Sequence, residues 1–265
     1  MLTGEQVDAF NQRGFVNIGP VCDEATCQRL KDEFERVMRG EGQGEPVLNR
    51  NLTNQENRVV VQIVNIWQAS PAFLQHAAHA RITAAVAQLC QSDALRVWHD
   101  QIQYKPPGHG GATHWHQDHP AWPIIEPADL ISAWVPFADA TVDNGCMWMV
   151  PGSHRWGNQQ GLVHPNSEDD FTPQHTDPTR LPANVDLTPV PVEVRRGECS
   201  LHHSLTWHGS PQNRSSRARP AIAVHYMPAH TRYVDRGDHP MKDYVEVEPG
   251  ALLQGASFPL VYQQP

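Results

Sequence analysis

The sequence predicts a mainly β fold with flanking helices, closed as a sandwich or jelly roll. Past residue 94 it becomes a succession of short β-like runs broken by turn signals, at 95–104, 113–118, 130–138, 146–150, 191–195, 199–203 and 219–227. Composition points the same way, because 23 prolines with modest Ala and Lys suit strands and loops better than a helical bundle. Asn144-Gly145, between two of the runs, is a strong turn dipeptide.

The N-terminal third is expected to be helical and packed on that core. Thr3-Gly-Glu-Gln6 forms a capping box ahead of a short helix that ends near Gly14. Phe15 to Ile18 alternates as a strand. Asp23 to Arg39 carries Leu30, Phe34 and Val37 at helical spacing and is stopped by Gly40. Residues 40–56 are polar and turn-rich. Val59 to Trp67 is β-branched and apolar, interrupted by Gln62, and predicts a strand. Ser70 to Gln91 holds one or two helices, the second covering Ile82, Val86 and Leu89. Among the later strands, Arg155 to Pro189 is rich in Pro, Asn, Asp and Gln. So long a loop in a compact domain reads as a lid over a site mouth, at about 155–190. Lys105 to Gly111 reads as a mobile loop at the site entrance.

A chain of 265 residues suits a single domain, 1–265, with helices at about 1–92 and the jelly-roll core at about 95–228. A formal net charge of −9 with no clustered Lys or Arg argues against a nucleic-acid partner. The opening stretch MLTGEQVDAFNQRGF lacks the basic and apolar regions of a signal peptide, and no apolar run approaches spanning length. No membrane partner is therefore expected. Five scattered cysteines (Cys22, Cys27, Cys90, Cys146 and Cys199) predict reduced thiols and a cytoplasmic location. Monomer and homodimer are both compatible with the sequence.

The chemistry is carried by His116-Gln117-Asp118, answered much later by His208. On a strand, residues i and i+2 share a face, so His116 and Asp118 can grip one ion and His208 can close the set from another strand. Two imidazoles and a carboxylate leave up to three positions on an octahedral metal. The pattern His114-Trp115-His116-Gln117-Asp118 keeps His114 in competition with His116, and a hydrogen-bonded structural His–Asp pair would explain the same residues without metal. No HExxH, GxSxG or strand–helix GxGxxG supports another chemistry.

Four blocks then follow in order: His116-Gln-Asp118, Asp129-Leu-Ile-Ser-Ala-Trp134, Asn144-Gly145 running to Pro151-Gly-Ser-His154, and His208-Gly-Ser210 with Arg219. Together with the opening Leu2 to Phe10 and Gly14-Phe15, they resemble the phytanoyl-CoA dioxygenase family of Fe(II)/2-oxoglutarate-dependent oxygenases, over about residues 2–228. The resemblance implies a double-stranded β-helix of cupin-like form. It implies Fe(II) held by His116, Asp118 and His208, with 2-oxoglutarate as cosubstrate and O2 as oxidant. It implies that Arg219 binds the far carboxylate of 2-oxoglutarate, a bidentate task that Lys does not copy. Ser210, two past His208, is expected to donate to that carboxylate, and Trp134 to pack near the cosubstrate. Gln62, and less directly Gln103, sit where some family members place a polar or basic group near 2-oxoglutarate. His203 is a candidate to support the ligands by hydrogen bonding. Pro151 to His154 reads as architecture, and Gly197-Glu198 departs mildly from the family's Gly-Asp. Trp115, His119 and Trp122 are expected substrate walls. Halogenating relatives replace the carboxylate, so Asp118 argues for oxygenation.

The function expected is oxidation of a C–H bond in a small, polar or sugar-like metabolite, by hydroxylation, desaturation or ring closure. Succinate and CO2 are released. Secondary metabolism is the expected setting. The alternative is a cupin-like isomerase or hydrolase that does not use 2-oxoglutarate. Arg219 separates the two, because only the first needs it.

Overall fold

A computed structural model describes residues 1–167 and 170–264; residues 168 and 169 of the expected lid, and residue 265 of the expected domain, lie outside the described residues. The chain runs through α1 (Gly4–Arg13), β1 (Phe15–Pro20), α2 (Glu24–Met38), β2 (Leu48–Asn51), β3 (Val61–Val64), α3 (Ile66–Ala69), α4 (Pro71–Ala77), α5 (Ala80–Cys90) and β4 (Ala94–Lys105). It continues with β5 (Thr113–His116), β6 (Ile125–Glu126), β7 (Ile131–Pro136), β8 (Met147–Met149), β9 (Val163–Pro165), β10 (Pro173–His175) and β11 (Val190–Val192). The last strands are β12 (Glu198–His203), β13 (His208–Ser210), β14 (Arg219–Pro228), β15 (Arg232–Tyr233) and β16 (Leu260–Gln263).

Local chemistry sets these limits. Thr3 and Gln6 exchange the two bonds of a capping box, and Gly14 closes α1 in the left-handed region at φ 85°. Asp23 accepts from the Thr26 amide to start α2, which buries Cys27, Leu30, Phe34 and Val37. Where Val59 to Trp67 predicts one strand, β3 stops at Val64. Asn65 takes the left-handed conformation, its amide donates to the Asp100 carbonyl at 2.9 Å, and α3 begins. Asn tolerates this conformation better than a β-branched residue does, so the turn overrides the strand propensity.

All strand pairs are antiparallel within two main sheets. The larger runs β1-β12-β7-β14-β4-β3-β2, with β16 also on β4, and the smaller runs β11-β8-β13-β5. This is the jelly roll of a double-stranded β-helix. Period-two alternation divides the large sheet cleanly. Ile131, Ala133 and Val135 of β7, Cys199 and Leu201 of β12, and Ile222, Val224 and Tyr226 of β14 face outward and pack under the helices with Leu30, Phe34, Phe73 and Val86. The opposite face of the same strands carries Ser132, Ser200, His202 and His225, all buried. Near the far end of the sandwich that face turns apolar again, where Trp134, Ala221 and Ala223 meet Met147 and Met149 of the small sheet.

Two segments are less free than the sequence suggests. The expected lid contains the β9–β10 hairpin and a 3-10 turn at Pro178–Arg180. It is also tied down: Trp115 Nε1 donates to the Phe171 carbonyl at 2.8 Å. The expected mobile loop begins with Lys105 still in β4 and wholly buried. Beyond it, Asn213 Nδ2 donates to the Pro106 carbonyl at 3.0 Å, and Gly108 N donates to the Ser215 carbonyl at 2.8 Å. The five cysteines are free thiols, and no helix among the described residues is long and apolar enough to cross a membrane.

Burial also sets a pH dependence. His76, packed between the helices, has its imidazole lowered from 6.5 to about 4 by burial. It is neutral in the fold, so its stabilising contribution is complete above the ordinary imidazole range and is lost as pH falls. The melting temperature is expected to stay level from neutral to mildly alkaline pH and to fall steeply from 6.5 toward 4. His76→Leu removes one group's share of that slope, and thermal melts across pH measure both.

Candidate active site

β5 and β13 lie side by side with His116 opposite His208, and their rings stand 4.1 Å apart between centroids. Both histidines use the same local device. His116 Nδ1 bonds the His114 carbonyl at 2.8 Å, and His208 Nδ1 bonds the Thr206 carbonyl at 2.9 Å. A carbonyl only accepts, so Nδ1 carries the proton and Nε2 keeps its lone pair. Asp118 Oδ1 sits 3.7 Å from His116 Nε2 and 3.6 Å from His208 Nε2. Ligand atoms of the three residues all fall within 4.8 Å of one another. His114 does not join them; it contributes its backbone oxygen to orient His116.

Asp118 reaches this point differently from the sequence expectation. β5 ends at His116, and Asp118 is helical (φ −68°, ψ −54°) at the start of a 3-10 turn, so the shared-strand-face argument fails. A side-chain clamp does the aiming instead. Ser132 Oγ donates to Asp118 Oδ2 at 2.8 Å, and His202 Nε2 lies 3.2 Å from the same oxygen. His225 Nδ1 in turn meets Ser132 Oγ at 2.6 Å. Oδ2 is thereby occupied and Oδ1 alone is left facing the two Nε2 atoms. Burial by itself would raise the Asp118 carboxyl, but the hydrogen bond from His202 opposes it, and the group is held well below the usual range. Burial, reinforced by His116, keeps His208 neutral. An ionised carboxylate and neutral imidazoles are the protonation states a divalent metal demands. The supporting histidine is His202, not His203. β12 turns His202 inward, while His203 Nδ1 accepts from the Leu205 amide.

A second polar centre lies farther along the sandwich. Arg219 opens β14, opposite Lys105 at the end of β4, and is 1% exposed. Its Nε and Nη1 have no hydrogen-bond partner among the described residues. Its guanidinium lies 5.4 Å from the Trp134 ring centroid. Burial lowers its pKa to about 10, which leaves it charged at neutral pH. A buried cation with unspent donors is costly unless an anion completes it, and a carboxylate fits that fork. Trp134 Nε1 donates to Gln103 Oε1 at 3.3 Å. Lys105 Nζ donates to the Ser210 carbonyl at 3.0 Å and to that of Pro211 at 2.5 Å. Ser210 is buried two residues past His208 on β13, and the register shift between them places its extra residue in the partner strand β5.

Beside the triad lies a cavity of about 550 Å³, lined by His116 and Asp118, by His99, Gln101 and Gln103 of β4, and in part by Trp115 and Trp122. Gln62 lines it too, accepting from Arg50 Nε at 2.9 Å and donating to Gln101 Oε1 at 2.5 Å. Gln101 Nε2 meets His225 Nε2 at 3.1 Å, so a continuous polar chain joins Gln62 to the Asp118 clamp. His119 is not on this wall; its Nε2 turns to the Ile125 carbonyl at 3.0 Å. The sequence reading missed Ser132, His202, His225, Gln101 and Lys105. The signal that locates the first four is polar residues alternating with apolar ones along predicted strands.

A jelly roll that gathers two imidazoles and a carboxylate, and buries in the same sandwich an arginine with two unspent donors, defines the class of Fe(II)/2-oxoglutarate-dependent oxidoreductases. The chain belongs to the phytanoyl-CoA dioxygenase (PhyH) family, whose model matches residues 10–221. It is 27% identical over 247 residues to the peroxisomal phytanoyl-CoA dioxygenase of Bos taurus, covering 89% of this chain and 71% of that one. A shorter match, 35% identical over 127 residues, joins it to phytanoyl-CoA dioxygenase domain-containing protein 1 of Mus musculus, over 48% of this chain and 43% of that one. Among solved structures, it resembles the non-heme alpha-ketoglutarate-dependent carbocyclase SnoK from nogalamycin biosynthesis, with a TM-score of 0.80 and 28% identity, over 98% of this chain and 96% of that one.

Ser132→Ala is expected to release Oδ2 of Asp118 and weaken Co(II) binding by about 10–100-fold. The melting temperature of the metal-free protein should fall modestly, because His225 Nδ1 loses its partner. Spectrophotometric titration with Co(II) reads the effect, and unchanged affinity would rule the clamp out.

Proposed function

We propose that this protein oxidises a C–H bond of a small, polar metabolite, coupled to conversion of 2-oxoglutarate and O2 into succinate and CO2. The observation that carries the reading is Arg219: a buried guanidinium whose Nε and Nη1 are unspent, in the same sandwich as the triad. His116 Nε2, Asp118 Oδ1 and His208 Nε2 are the atoms that would hold Fe(II). Arg219, flanked by Trp134, would take the far carboxylate of 2-oxoglutarate in a bidentate, charge-assisted fork. Bound iron, with the keto acid and O2, supplies the oxidant for C–H cleavage. The protein's part is placement and exclusion of water. The clamp on Oδ2 keeps Asp118 to one donor oxygen, which leaves neighbouring positions for cosubstrate and oxygen. Trp115 and Trp122 narrow the cavity above them.

Hydroxylation is the default outcome, with ring closure or desaturation where the substrate's shape disfavours hydroxyl transfer. The likeness to a carbocyclase keeps ring closure in view and supports a setting in secondary metabolism. A cupin-like enzyme that ignores 2-oxoglutarate would have no use for a buried Arg219. The cavity also speaks against a polyanionic thioester: Arg50, at its rim, is the one Lys or Arg among the residues that line it. The whole chain is read as a single oxygenase domain, with the segment at about 155–190 covering the site. Free cysteines and the acidic net charge of −9 suit a cytoplasmic enzyme without nucleic-acid partners.

Anaerobically iron-loaded protein, exposed to O2 and 2-oxoglutarate, is expected to form succinate above the level of Asp118→Ala; equal yields from the two would refute the proposal. Arg219→Lys keeps the charge but loses the fork, and should raise the half-saturating 2-oxoglutarate concentration at least about tenfold. Steady-state succinate assays measure it.

A further inference from the structure

β4 presents three polar side chains to the cavity from alternate positions, His99, Gln101 and Gln103. Gln101 is bonded to Gln62 and His225, and Gln103 to Trp134. His99 differs. It is 4% exposed, and neither ring nitrogen has a hydrogen-bond partner among the described residues. The ladder between β4 and β14 shifts register beside it, between His225 and Tyr226, and such irregularities re-aim side chains next to sites. Aromatic rings hold the imidazole in place. Trp122 meets it edge-on at 5.5 Å, His225 at 4.5 Å, and His239 stacks on it at 5.8 Å. Trp122 and His239 line the cavity beside it. His225 Nδ1 is in turn 3.8 Å from Asp118 Oδ2, so His99 stands one ring away from the candidate metal ligands.

A side chain so buried, with both polar atoms unspent, costs stability unless a ligand completes it. Burial first, then His225 and His239, drives the His99 imidazole toward its neutral form, against a smaller opposing pull from Asp118 and the Asp100 backbone carbonyl. A neutral imidazole offers one donor and one acceptor. A charged group set against the neutral His99 ring would find no counter-charge on it, whereas a hydroxyl can give to one ring nitrogen or take from the other.

We propose that His99 is a substrate-reading residue that hydrogen-bonds a free hydroxyl on an uncharged ring, with Trp122 and His239 as walls against that ring. The assignment rests on the oxygenase reading above and narrows its substrate class to uncharged, hydroxylated cyclic compounds.

The test uses the full chain loaded with Co(II) and 2-oxoglutarate under nitrogen, with 2-naphthol and naphthalene as probes differing only in the hydroxyl. Binding is read by calorimetry or by quenching of tryptophan fluorescence. Wild type should hold 2-naphthol at least about tenfold more tightly than naphthalene, roughly the worth of one good hydrogen bond to a buried partner. His99→Phe should bring that ratio close to one. His99→Gln, which restores a donor and an acceptor, should recover most of it. The Co(II) spectrum and its change on adding 2-oxoglutarate should be the same in all three proteins. Failure of wild type to bind 2-oxoglutarate would overturn the cofactor reading itself. With 2-oxoglutarate bound, the His99 assignment alone is overturned by a hydroxyl preference that survives in His99→Phe, by no preference in wild type, or by no binding of either probe.

Discussion

A carboxylate buried in the middle of a sandwich needs an explanation, and in this protein the fold is arranged around supplying it. Asp118 is 6% exposed, with Ser132 and His202 on one oxygen and two Nε2 lone pairs facing the other. Ionising it without the donors Ser132 and His202 would cost several kcal/mol. Ser132, His202 and His225 come from three adjacent strands, β7, β12 and β14. The clamp therefore exists only when the large sheet is correctly registered, and a slip of one residue would turn all three side chains toward the helices. The polar centre and the apolar exterior are two readings of one alternation. Helices cover the face built from Ile222, Val224 and Tyr226, and the metal chemistry occupies the face that they leave.

The same sheet separates two tasks. The triad bridges β5 and β13 of the small sheet to a turn braced by the large one. Arg219 sits at the first residue of β14, among Trp134 and the small residues Ala221 and Ala223. Ala221 and Ala223 are the small residues of that part of the face, whereas the bulky rings of Trp122 and His239 line the cavity beside the triad.

Much of this was legible in the residues. The capping box of α1, the stripe of Leu30, Phe34 and Val37, and the succession of short strands follow from local rules that tertiary contacts did not override. The pairing of His116-x-Asp118 with His208 and Arg219 emerged from motif order. Periodicity misled where the backbone leaves its regular path. Asn65 breaks a run of β-branched residues, and Asp118 lies past the end of its strand in helical conformation. The supporting role was expected of His203 where the structure uses His202, because a one-residue difference in strand phase is settled by pairing partners far away in sequence. Lys105 was read as loop because Pro and Gly follow it, yet its ammonium is spent on the Ser210 and Pro211 carbonyls.

Gln117, the residue between two candidate ligands, points away from them. Its amide nitrogen donates to the Gly157 carbonyl at 2.9 Å and the Leu205 carbonyl at 2.7 Å, and its oxygen receives the Gln159 amide at 2.7 Å. One buried amide therefore staples the stretch at Gly157 and Gln159 both to the metal strand and to the approach of His208. Displacing that segment would strain the very backbone that sets the bite of the chelate.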